Sequence, residues 1–266
     1  MVATLTATLL GSVQPRPVSL ALSGLVAGDV WSLSGTAAGA SWAVPGGSGV
    51  ASGSQVVLVD NRAPLNLPLT YRALVNGAPV AASPVTVAYP ARYLLQSLDG
   101  RTVVPFVWQR DGLARGYVVR GATLAVPGRA RPPRFYAPGG DGGGSLTLRT
   151  DRAGTAGMQT LLRSGGPVVL RTDGAIRDLP AVDLLALDAA STVTWDAVVT
   201  GVDGPQMSTD RMWSLTFTLV DDPEPSRVLS AFTWDDIDAL AMTWSAMDAL
   251  ALTWDQAEAF DWSTLA

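Results

Sequence analysis

The chain of 266 residues contains no lysine, no histidine and no cysteine; all 18 of its basic side chains are arginine. These absences remove most common catalytic chemistry at once. Without cysteine or histidine there is no zinc site of the usual kind, no thiolate nucleophile and no Ser-His pair, and without lysine there is no Schiff base. A reaction would have to rest on carboxylates, Tyr, Ser, Thr or Arg, and no converging set of these is visible. The acids fall mostly in turns and near the C-terminus, a poor pattern for the paired carboxylates of glycoside hydrolysis. The expectation is a protein that is not an enzyme and carries no cofactor or metal. The missing cysteine leaves the redox compartment undetermined. No run of about 18 apolar residues exists, so no membrane span is expected. The N-terminus lacks a basic segment, and threonine alternates with apolar residues from Ala3 to Leu9, a strand pattern rather than that of a signal peptide.

What is present can build a core: 48% of the residues are apolar and only 15% charged, which argues against a disordered chain. Charge is unevenly divided. Residues 221–266 hold ten of the 23 acids against Arg227 alone, leaving 13 acids and 17 arginines before them. Neither part shows the concentrated basic face of a nucleic-acid binder. The polarity suits an acidic appendage that docks on a complementary surface.

Residues 1–90 have the pattern of an all-β module. Candidate strands are Ala3–Leu10, Val18–Ser23, Val30–Gly35, Gln55–Val59, Leu67–Leu74 and Val80–Ala88, punctuated by Gly, Pro, Asn and Ser. Tyr71 opens a strand after a proline-rich crossing and is followed by an Asn76-Gly77 hairpin turn. This stretch resembles the late strands of an immunoglobulin-like or fibronectin type III sandwich, and the resemblance gives Tyr71 the tyrosine-corner role.

Residues 91–225 make a second unit. Strands are expected at Val103–Trp108, Tyr117–Val126, Ser145–Thr150 and Pro167–Arg171, with long β runs at Ser191–Gly201 and Met212–Val220. Asp151 is placed to cap a helix through Arg163, with Met158, Leu161 and Leu162 apolar and Gly165-Gly166 as its stop. The loop Gly139–Gly144 is not a phosphate cradle, because it leads into a strand-like segment and not a helix N-terminus; it is expected to be a flexible hairpin connection. Arg129, Arg131 and Arg134, interleaved with Pro132 and Pro133, fit either a solvated loop or a contact with an anion or a neighbour's acidic segment.

The order of strand, Gly-rich loop, strand, helix, Arg-Ser-Gly-Gly-Pro-Val-Val-Leu-Arg-Thr and a long antiparallel pair ending in Val-Asp-Asp-Pro resembles the minor tail and distal tail proteins of long-tailed actinobacteriophages. The resemblance implies a mainly β protein in three parts. These are an immunoglobulin- or fibronectin-like β-sandwich (1–90), a distal-tail-like β-sandwich with one helix (91–225), and an acidic repeat tail (226–266). It further implies a structural role at the virion's tail tip, after synthesis in the host cytoplasm. The protein would form a ring at the distal end of the tail tube, through hexameric self-association, and connect it to baseplate and host-recognition proteins. Its partners would be the tail tube, tail hub, tape measure and other minor tail proteins, with no nucleic acid. A carbohydrate- or receptor-binding β-sandwich protein is the alternative.

The tail carries one decapeptide three times, beginning Phe232-Thr-Trp-Asp, Met242-Thr-Trp-Ser and Leu252-Thr-Trp-Asp. Thr233, Thr243 and Thr253 are suited to cap short helices, with Phe232, Met242 and Leu252 as hydrophobic staples. A single helix fits less well, since ten residues at about 100° each rotate successive Trp side chains by roughly 80°. Asp235, Asp236 and Asp238 lack the glycine and closing glutamate of a calcium loop and serve instead a helix start and a wet face. Trp234, Trp244, Trp254 and Trp262 are expected to be protein-interaction anchors in preference to a sugar-binding strip.

Overall fold

The protein is mainly β, with one helix among the described residues. The computed structural model describes residues 2–11, 14–118, 121–124, 131, 134–136, 140–175, 180–194, 199–201, 204–206 and 210–223. Two compact units result, neither contiguous in sequence. Met1–Arg101 clusters with Val169–Asp183, while Thr102–Val168 clusters with Leu184–Asp221.

The chain opens with β1 (Thr4–Leu9), β2 (Val18–Ser23), β3 (Val30–Ala37), β4 (Ala40–Val50), β5 (Gln55–Asp60), β6 (Pro68–Val75), β7 (Ala78–Ala81), β8 (Val85–Thr86) and β9 (Tyr93–Ser97). One sheet has the order β1-β2-β5 and another β4-β3-β6-β7, with β8 paired to β6. Alternation builds the core: Val18, Leu20 and Leu22 of β2, Trp31 and Leu33 of β3, and Leu69, Tyr71 and Ala73 of β6 are buried. The β6–β7 turn forms at the expected place, with Asn76 and Gly77 at φ 49 and 81°, both in the left-handed region that a two-residue hairpin needs. Asn76 also ties the turn to β3, accepting from the Val30 N–H at 2.9 Å. Its amide donates to Asp29 at 2.8 Å. The Val26 N–H bond and then Asn76 hold the Asp29 carboxyl below the usual carboxylate range.

The chain continues through β10 (Val103–Pro105), β11 (Val107–Val118), β12 (Gly121–Thr123), β13 (Arg134–Tyr136), β14 (Gly140–Thr150), α1 (Arg152–Ser164) and β15 (Val168–Thr172). It ends, among the described residues, with β16 (Val182–Thr194), β17 (Val199–Gly201), β18 (Gly204–Gln206) and β19 (Arg211–Leu219). In the second unit β16, β19, β14 and β11 are antiparallel neighbours in that order, with β11 outermost. Helix α1 starts and stops where its sequence signals lie. The Asp151 side chain accepts from the Gly154 N–H at 2.7 Å, and Gly165 closes the helix at φ 68°. Met158 and Leu161 are buried beneath it, and Gly157 brings the helix close to Val104 of β10.

The glycine run differs from its expected role as a loop. From Gly140 onward it is the first half of β14, paired on both sides. A Cβ on Gly144 would lie 1.9 Å from the Ala114 carbonyl oxygen, and one on Gly143 would lie 2.2 Å from that of Phe217. Glycine is required here by close backbone approach, not by flexibility. Likewise β4 (Ala40–Val50) and β9 occupy segments with no expected strand, and β16 begins at Val182 instead of Ser191.

Candidate functional site

The first unit holds a closed polar cluster. Asp60, at the end of β5, is fully buried. Its Oδ2 accepts from the Tyr71 hydroxyl at 2.9 Å and from Trp42 Nε1 at 2.9 Å, and its Oδ1 accepts from the Arg62 N–H at 2.8 Å. Trp42 meets Tyr71 edge-on, with ring centroids 6.0 Å apart. Arg171, in the wholly buried strand β15, donates through Nε to the Ala63 carbonyl at 2.7 Å. Its Nη1 donates to the Asn61 carbonyl at 2.9 Å and to Gln96 Oε1 at 2.8 Å. Arg62 donates to Asp222 at 2.5 Å.

This cluster is built to hold, not to react. Burial, and then the charge of Asp60, push the Tyr71 hydroxyl far above the usual phenol range. Burial lowers Arg171 to about 10, so it stays protonated at neutral pH. Neither group is poised to exchange a proton near neutrality. Tyr71 bonds a side chain eleven residues upstream, whereas the tyrosine-corner hydroxyl of immunoglobulin domains reaches backbone.

The second unit carries the water-facing feature. Tyr117 near the end of β11, Leu124 just after β12 and Phe135 in β13 are 70%, 55% and 64% exposed. β12 and β13 pair as Gly121↔Tyr136, Ala122↔Phe135 and Thr123↔Arg134. Leu124 has the parity of Ala122, so it shares a face with Phe135. Of the three arginines singled out by sequence, Arg131 is exposed between these strands and Arg134 opens β13, while Arg129 lies outside the described residues. Trp234, Trp244, Trp254 and Trp262 also lie outside them. Sequence reasoning did not single out Tyr117, Leu124 or Phe135. The available signal was the density of Arg and aromatic residues between 107 and 136.

Among the described residues, no group of three or more acids could hold a metal ion. No protein-family model matches the chain, and no curated protein matches it.

Proposed function

We propose that this chain is a structural component of a bacteriophage tail tip, self-associating as a ring at the distal end of the tail tube and joining it to baseplate and host-recognition proteins. The observation that carries the reading is the exposed face of the β12–β13 pair, here called the arm. Leu124 and Phe135 are 55% and 64% exposed there, and large apolar side chains left in water on one face mark a surface meant to be covered by protein. The succession of β14, α1, β15 and the long antiparallel β16–β19 pair supports it, because the likeness to tail proteins rests in part on that order, although the glycine run expected as a loop belongs to β14. The first unit is proposed as the immunoglobulin- or fibronectin-like module. The two antiparallel sheet orders β1-β2-β5 and β4-β3-β6-β7 support that part of the proposal. A non-catalytic role agrees with a chain that has no Lys, His or Cys.

Two measurements test the proposal. Light scattering on the purified full chain should report a closed oligomer, and antibody to it should label one end of the tail in electron micrographs of virions. A monomer that labels no particle and binds a defined glycan would replace the structural reading with a carbohydrate-binding one.

A further inference from the structure

Two parts of this chain have opposite charge. Residues 107–136 contain Arg110, Arg115, Arg120, Arg129, Arg131 and Arg134 against Asp111 alone, six positive charges to one negative. Residues 221–266 contain ten acids against Arg227 alone. The basic part exposes Tyr117, Leu124 and Phe135 to water. Its strand β11 is the outer strand of its set, with β14 as its pairing partner among the described residues. The acidic part carries Trp at ten-residue intervals with apolar residues three and six positions beyond each: Ile237 and Leu240, Met247 and Leu250, Ala257 and Phe260. Segments of this length do not hold helical order alone in water and require a surface to pack on.

We infer that the acidic Trp segment of one copy, residues 232–261, docks on the exposed β12–β13 arm of a second copy. The inference rests on the self-association in the proposed function. A contact between two different surfaces is heterologous and repeats from copy to copy, closing into a ring when the rotation allows, whereas a segment folded back on its own chain links nothing. Charge steers the encounter and fixes the direction of the segment, while indole and aliphatic groups meeting Leu124 and Phe135 supply the anchoring contact.

Charge exchange on the full chain tests this. One variant combines Arg120→Glu, Arg129→Glu, Arg131→Glu and Arg134→Glu, which leaves residues 107–136 with two Arg against five acids, so that arm and tail are both acidic. The other combines Asp235→Arg, Asp236→Arg, Asp238→Arg, Asp248→Arg and Asp255→Arg, which leaves residues 232–261 with five Arg against two acids, so that arm and tail are both basic. Association of the wild type, followed by light scattering, should weaken as salt rises. Each variant alone should associate at least about tenfold more weakly than wild type, and an equimolar mixture should recover most of the loss, since each tail then meets an oppositely charged arm. Recovery on mixing also shows that both variants are folded. If either variant misfolds by circular dichroism, the pair Trp244→Ala and Trp254→Ala decides instead. It should weaken association about tenfold or more with the fold intact. Unchanged association of either charge variant or of the Trp pair, or mixing without recovery, overturns the docking while leaving the ring proposal standing. A wild-type chain that is monomeric at every concentration overturns both.

Discussion

Arg171 donates to the backbone carbonyl of Asn61 at 2.9 Å across 110 residues of sequence. The same guanidinium reaches Ala63 and Gln96, so one side chain ties β15 to the segment after β5 and to β9. Gln96 completes the arrangement by donating to the same Asn61 carbonyl at 3.0 Å. A buried cation in an apolar strand is costly unless its donors are used, and here three acceptors meet Nε and Nη1 while Nη2 is buried without a partner among the described residues. This lock joins residues 93–97 and 169–172, which group with the N-terminal strands, to the segment after β5.

Arg171→Met should destabilise the first unit by about 3–5 kcal/mol, because Ala63, Asn61 and Gln96 lose a charged donor in a buried site. Arg171→Lys should recover less than half of the loss, as a single ammonium cannot span three acceptors. Urea unfolding of both variants measures this; a Lys variant as stable as wild type would show that the fork geometry is irrelevant.

Asp60→Ala strips an acceptor from Tyr71, Trp42 and the Arg62 N–H together, with an expected cost of about 3–5 kcal/mol. Asp60→Asn keeps one carbonyl oxygen and should cost about 1–3 kcal/mol. Thermal unfolding should rank the two in that order, and the reverse ranking contradicts the assigned bonds.

Tyr71 should make stability fall in alkali. Its folded pKa is raised above the ordinary 10.0 by burial and by Asp60. The contribution is therefore complete below about pH 10 and declines as pH rises further, by up to about 1.4 kcal/mol per pH unit. Arg171 acts oppositely: its folded value of about 10 lies below the ordinary 12.5, so its burial penalty eases as pH climbs between them. Comparing Tyr71→Phe with wild type isolates the tyrosine. The variant should lose stability less steeply above pH 10 in urea titrations, and equal slopes would refute the linkage.

Gly144→Ala should cost about 1–3 kcal/mol or more, since its Cβ would collide with backbone and not with a movable side chain. Gly166→Ala, with nothing within 4 Å of its Cβ, is the control and should stay within about 0.5 kcal/mol of wild type. Hydrogen exchange across β14 should rise in the first variant and not in the second.

The sequence alone determined the parts whose signals are local. Asp151, Met158, Leu161 and Gly165 mark the start, buried stripe and end of α1 within fifteen residues, and Asn76-Gly77 sets its turn by left-handed backbone preference. The absence of Lys, His and Cys bounded the chemistry without any fold at all. Tertiary structure decided what depends on distant partners. Gly140–Gly144 has the composition of a flexible loop, and it is a strand because the backbones of β11 and β19 approach too closely for a side chain. β4 was hidden because Gly46, Gly47 and Gly49 break its apolar alternation, and pairing with β3 restores the strand. Arg171 looks like an interruption in Val-Val-Leu-Arg-Thr until Asn61, Ala63 and Gln96 are brought around it, since burial of a charge is settled by acceptors that sequence spacing does not reveal.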